Sequence, residues 1–192
     1  STIIKAVAVK QGMNDSPIVI SSYVKPIIIN LGNGTNLEMI KIPAAGFSFQ
    51  IGSPANEIGR YSNETQTTVS FTKDYYIGKF EVTQAQWKAV MGNYPTTTFG
   101  TNDNFPVDDA SWNSICESNG FLERINQMAP GGFNNFRLPT EAEWEYACRS
   151  TTTTPYYWGT NMNNNFCWYV DNSNNTIHSV GSSLSSNNAF GL

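Results

Sequence analysis

Residues 136–149, FRLPTEAEWEYACR, concentrate three glutamates, two arginines, a tryptophan and a cysteine. A pair of carboxyl groups about 5–10 Å apart is what hydrolysis of a glycosidic bond requires. Glu141 and Glu145 offer such a pair on one face of a helix. The same residues also have a purely structural reading. Thr140 is a good helix N-cap and Glu143 stands three positions later, so the two predict a capping box. Glu141 and Glu143 fall in the first turn, where the helix dipole favours negative charge. Glu145 and Arg149 are spaced for an i,i+4 ion pair, worth about 0.2–0.5 kcal/mol. Trp144, Ala147 and Cys148 make an apolar face, and Pro139 fixes the entry of the chain. Because every residue in the stretch has a structural job, it reads as architecture, and no catalytic residue is assigned there.

The other chemically capable residues are few. Cys116, Cys148 and Cys167 have no zinc-like spacing, and their odd number leaves at least one thiol free. Cys116 and Cys148 sit on predicted helices among apolar neighbours. They read as small core residues, with a Cys116–Cys148 disulfide as the alternative. His178 is the only histidine. No Cys–His or Ser–His pair can form without it, and nothing in its surroundings supplies an orienting partner. No catalytic, cofactor-binding or metal-binding residue is therefore assigned.

The elements that must carry these residues lie in a chain of 192 residues with a net charge of -4. Charged residues make up 14%, against about 25% in a typical soluble domain. There is no Lys/Arg cluster, which argues against nucleic acid as a partner. The longest apolar run, PIIIN, is too short to span a bilayer, and no signal peptide is visible at Ser1. Residues 1–25 read as two strands around the turn formers QGMNDSP. LEMIKIPAAGFSFQIGSP reads as two short strands broken by Pro43 and Gly46, and two more follow after a polar loop, with Val69, Phe71, Tyr76 and Ile77 as core candidates. The first helix is TQAQWKAVMG: Thr83 caps it, Gln86 completes a capping box, Gly92 stops it, and Trp87, Val90 and Met91 share a face. A second helix spans SWNSICESNGFLERINQM, interrupted by Gly120, with Trp112, Ile115, Cys116, Leu122 and Ile125 on one stripe. The last third is aromatic, Asn-rich and nearly uncharged. It reads as long ordered loops with short strands, because six aromatic residues between Tyr156 and Tyr169 need somewhere to bury their rings. Low-complexity disorder is the rival.

Six stretches occur in a recognisable order: EMIKIPAAGFSFQIGS, DYYIGKFEVTQAQWKAVMG, FPVDDASWNSICESN, FRLPTEAEWEYACRS, YYWGTN and NTIHSVGSS with NNAFGL. Residues 37–192 resemble the formylglycine-generating enzyme family, or sulfatase-modifying-factor domain. That resemblance implies an α+β, C-type-lectin-like fold with short sheets, about three helices and long ordered loops. IKAVAVKQGMNDSPIVISSY, within residues 1–25, is similar to the closing hairpin of a chitobiase-type immunoglobulin-like repeat found in secreted or surface bacterial proteins. The family's oxidases act through copper(I) and a reactive cysteine pair, which follows a GNVWEW-type run; none of Cys116, Cys148 and Cys167 matches that pair. The resemblance also implies that Asn165, Asp171 and Asn174 are candidates for a calcium ion, and that His178 lies in a structural turn. A sheet lacking the family's later strands is expected to expose an edge and apolar surface, covered by a partner, a swapped strand or further chain.

The expected function is a non-catalytic ligand-binding or display module of a bacterial surface or secreted protein, akin to retroelement-diversified variable proteins. Its loops would bind a protein or saccharide. The alternatives are part of a copper-dependent formylglycine-generating oxidase acting on a sulfatase cysteine, and a structural domain with no ligand of its own.

Overall fold

The computed structural model describes residues 2–6, 19–23, 25–183, 185 and 187–192, the first two segments through their backbone alone. β1 (Thr2–Ala6) pairs antiparallel with β2 (Val19–Tyr23), Thr2 opposite Tyr23. The turn expected at QGMNDSP lies outside the described residues.

β3 (Ile27–Gly32) and β4 (Thr35–Ile42) form a hairpin that the sequence reading did not draw. Its signal is Asn33-Gly34, where both residues take positive φ (51° and 78°), as a twist-matched two-residue turn demands. β5 (Ser48–Ile51) pairs with β6 (Thr67–Ser70) as a separate two-stranded sheet. β7 (Tyr75–Gly78) returns to β4, giving a three-stranded antiparallel sheet in the order β3-β4-β7.

That sheet is covered on both faces, and the period-2 alternation of its strands decides which residue goes where. Ile29, Leu31 and Leu37 point to one face, and Ile40 and Ile42 to the other. Over the first face lie α1 (Gln84–Met91) and α3 (Phe121–Met128), whose Trp87, Val90, Phe121 and Ile125 complete a core. Trp87 and Phe121 stack at 5.2 Å. Over the second face lies α4 (Glu141–Arg149), whose Tyr146 and Ala147 meet Phe49, Phe71, Tyr75, Ile77 and Phe190. The register sets Tyr75 opposite Ile42, which turns Tyr75 inward and leaves Tyr76, a core candidate from the sequence, 44% exposed.

Three further expectations are corrected. The second helix is two: α2 (Trp112–Cys116) ends before Gly120, and α3 begins after it. Gly120 is the N-cap of α3, and a Cβ there would sit 2.8 Å from the Glu117 carbonyl oxygen and 3.0 Å from that of Ile115. The break therefore turns Trp112 out, 67% exposed, while Ile115, Leu122 and Ile125 stay against the first core. On α4 the buried face is Tyr146 and Ala147, and Trp144 is 58% exposed, because Tyr146 reaches the aromatic cluster on β5 and the strands beside it. All three cysteines are free and Cys148 is exposed, so neither the Cys116–Cys148 disulfide nor a core position for Cys148 holds.

The last third is ordered loop. Among its described residues no strand forms beyond an isolated bridge between Tyr156 and Gly159. Side-chain amides occupy backbone groups that a ladder would otherwise use: Asn172 bonds the Cys167 carbonyl and the Tyr169 N–H.

Gly120→Ala is expected to destabilise the protein by about 1–3 kcal/mol, the usual cost of forcing atoms into a packed site. Urea unfolding reads it, and a stabilisation, the ordinary result of Gly→Ala near a helix start, would contradict the break described here.

Candidate functional site

The charged stretch at α4 is a junction. Thr140 Oγ1 accepts from the Glu143 N–H (3.2 Å), and the Glu143 carboxylate accepts from the Thr140 N–H (2.8 Å), completing the expected capping box. Both Glu143 oxygens also accept from Arg137, at 2.6 Å each, in a bidentate fork. The Tyr75 hydroxyl donates to the Glu143 backbone carbonyl at 2.6 Å, linking β7 to α4. The Arg137 fork, with the Thr140 N–H, outweighs partial burial and holds the Glu143 carboxyl down at about 2. Burial, and then the Glu143 charge, push the Tyr75 hydroxyl up, so it stays a donor.

Glu145 is equally engaged. It accepts from Arg149 Nε at 2.7 Å, the i,i+4 pair expected from the sequence, and from the Gly52 N–H at 3.1 Å. Arg149 in turn donates to the Thr154 and Gly52 carbonyls. Gly52 holds φ at +87°, and a Cβ there would lie 2.8 Å from the Glu64 carbonyl oxygen. Glu145 is thus a strut between α4 and the end of β5, with no free oxygen pair facing a substrate, and Glu141 stands beside it in the first turn. The geometry gives Glu143 and Glu145 structural roles, and Glu141 is exposed in the first turn.

Two buried polar side chains that sequence reasoning missed hold the loops. Gln84, fully buried, accepts from the Asn102 N–H at 3.0 Å and donates to the Gly100 carbonyl at 3.3 Å. Asn188 donates to the Ala147 and Cys148 carbonyls at the end of α4, and accepts from the N–H groups of Phe190 and Leu192. Neither carries a sequence signal, since an amide in a polar chain looks the same buried or exposed.

The loop surface is aromatic. Trp158 lies between Tyr156 (4.8 Å, 5°) and Phe166 (4.9 Å, 13°), with Tyr157 against its edge. Trp168 stacks on His178 at 3.7 Å, and its indole N–H donates to Ser182. His178 Nε2 is 3.1 Å from the Ser173 carbonyl, so the lone histidine has a structural setting. A cavity of about 500 Å³ is bordered by Trp168, Tyr169, Val170, Thr176, His178 and Ser182. Trp168 is 41% and Val170 73% exposed. Of the residues considered for calcium, the Asn165 N–H donates to Asn163 and its carbonyl accepts from the Ser185 N–H. Asn174 takes a left-handed backbone, and Asp171 lies in the same turn-rich run. Among the described residues, no three His, Cys, Asp or Glu side chains converge as a metal site.

Residues 30–192 match the family described as the sulfatase-modifying factor enzyme 1-like domain. The chain belongs to that family. Its fold is similar to Treponema denticola variable protein 1, with a TM-score of 0.67 and 26% identity, covering 87% of this chain and 72% of that one. It is also similar to PvdO from Pseudomonas aeruginosa, with a TM-score of 0.52 and 20% identity over 67% of this chain and 53% of the other, a likeness of fold alone. In sequence it is 32% identical over 127 residues to the chaperone protein LppX of Paenibacillus barcinonensis, an alignment covering 50% of this chain and 44% of LppX. The chain thus spans less than half the length of that curated relative. With these neighbours, the domain is α+β and C-type-lectin-like. Among the described residues, no helix is long and apolar enough to cross a membrane.

Glu143 makes the junction sensitive to acid. Its folded carboxyl titrates at about 2 against an ordinary 4.5, so the stability it contributes is complete above about 4.5 and is lost as pH falls towards 2. Glu143→Gln is expected to lower the thermal midpoint at pH 7 and to flatten its decline between pH 4.5 and 2. An unchanged acid limb in calorimetry would rule out this role.

Proposed function

We propose that this domain is a non-catalytic binding or display module of a bacterial surface or secreted protein, with residues 156–183 carrying the surface that meets its ligand. The observation that carries the reading is the contrast between two regions. Glu143 and Glu145 of α4 are engaged in holding the body together, whereas the loop surface presents Trp168 and Val170 to solvent on a backbone tied by its own amides. Rings that stack and amides that hydrogen-bond, with almost no charge, suit a protein or saccharide ligand. Binding residues concentrate on loops held by a rigid scaffold. The likeness to a variable protein supports a place among retroelement-diversified display proteins. The likeness of residues 1–25 to the closing hairpin of an immunoglobulin-like repeat of secreted or surface proteins supports an extracytoplasmic address.

The family's description keeps an oxidase reading in view. The two are separated by incubating the full protein with copper and a sulfatase-type cysteine peptide. Conversion to formylglycine would replace the binding reading.

Val170→Asp, chosen because Val170 is 73% exposed and lies away from both cores, is expected to weaken capture of a ligand on a glycan or protein array at least tenfold. The circular dichroism melt should move little. A full-strength array signal from the variant would remove residues 156–183 as the binding surface.

A further inference from the structure

The cavity of about 500 Å³ beside Trp168 falls within the range of about 300–1,000 Å³ usual for small-molecule sites. Phe166, Trp168 and Tyr169 give it an aromatic wall, and the body closes it with Glu81 and Pro106. Two contacts bring the body there. The Val180 N–H donates to the Asn104 carbonyl at 3.0 Å, and Gly181 lies so near the Phe80 ring that a Cβ would fall 2.7 Å from it. Among the described residues on this border, Glu81 supplies the one carboxylate, and no lysine or arginine appears.

Glu81 is not committed to the fold. It is exposed, and among the described residues no cation or hydrogen-bond donor engages its carboxylate. It stands two residues before the cap of α1, where Thr83 and Gln86 already satisfy each other's N–H groups. The cation two residues before it, Lys79, is taken by Glu38 at 3.0 Å. A neutral ligand closing over Glu81 would strip water from its charge with no compensation. A cationic ligand supplies a charge-assisted hydrogen bond instead. Trp168 favours the same class. It is 41% exposed with its ring stacked on His178 at 3.7 Å, and tryptophan is the side chain whose ring attracts cations best.

We infer that this cavity receives an arginine side chain presented by a partner protein, its guanidinium paired with Glu81 and laid along the exposed part of the Trp168 ring. A guanidinium is planar, stacks on rings, meets a carboxylate through two parallel donors and is more weakly hydrated than an ammonium. A second copy of this chain does not supply it, because its arginines are bonded at home: Arg60 to Ser53, Arg124 to Asn119, Arg137 to Glu143 and Arg149 to Glu145. The inference rests on residues 156–183 being the binding surface, and it narrows the ligand from a protein or saccharide to a protein with an exposed arginine.

Nuclear magnetic resonance titration of the whole protein with N-acetyl-arginine amide, against the neutral isostere N-acetyl-citrulline amide, tests it. The arginine compound is expected to shift the Trp168 indole N–H and to bind about five- to tenfold more tightly, the advantage of an exposed ion pair with a ring contact. High salt should shrink that advantage. Glu81→Gln keeps the shape and removes the charge, so it should abolish most of the preference while leaving the thermal midpoint unchanged. Shifts of residues 156–183 that are equal for the two compounds, or a preference that survives in Glu81→Gln, would overturn the arginine and leave the binding surface standing. No shift with either compound would overturn the arginine too. Shifts confined to residues outside 156–183 would overturn both the arginine and the surface.

Discussion

The Glu143 carboxylate holds three parts of the molecule in one place. It closes the cap of α4 through the Thr140 N–H, draws in the preceding loop through both prongs of Arg137, and sits on the residue whose carbonyl receives the Tyr75 hydroxyl from β7. A helix start is ordinarily a place of unsatisfied N–H groups. Here one acidic side chain supplies the missing acceptor and anchors the helix to its neighbours. The second core, built where Tyr146 meets Phe49 and Phe71, needs α4 in that position and phase. Without the junction, the helix would be free to rotate its exposed Trp144 towards the sheet.

A second device repeats around the molecule: a side-chain amide or carboxylate takes the place of a strand. Gln84 holds the loop at 100–102, Asn188 holds residues 190–192 to the end of α4, and Glu145 with Arg149 joins Gly52 to Thr154. This is how a chain with short strands and long connections satisfies its backbone polar groups. It also accounts for a composition rich in Asn, Ser and Thr and poor in charge, since neutral amides both donate and accept.

What the sequence made legible was local. Both capping boxes, the stop at Gly92 and the Glu145–Arg149 pair follow from residue types at fixed spacings, and each forms as read. The C-type-lectin-like architecture came from ordered motifs and not from periodicity. What failed depended on tertiary partners. Trp112 and Trp144 look like core residues by type, but a break at Gly120 and the reach of Tyr146 turn them outward. Tyr75 and Tyr76 are indistinguishable until the register with Ile42 is known. The β3–β4 hairpin was the avoidable miss, because Asn33-Gly34 between apolar runs is a turn signal in its own right. The candidate site was less legible still. The lone histidine carries no hint that it stacks on Trp168, ten residues before it.

The placement of charge bears on how such a surface can vary. The four ion pairs found among the described residues all lie on the body: on β4, at the two ends of β7, and on or just before α4. The region from 150 to 183 has none, and its order comes from backbone bonds to asparagine side chains and from ring stacks. Exposed side chains there, Val170 for instance, make no contact on which the cores depend. A substitution at such a position alters what the surface can recognise while leaving the capping junctions and both cores intact. Stability and recognition then rest on different residues, the condition under which a scaffold tolerates variation in its binding loops.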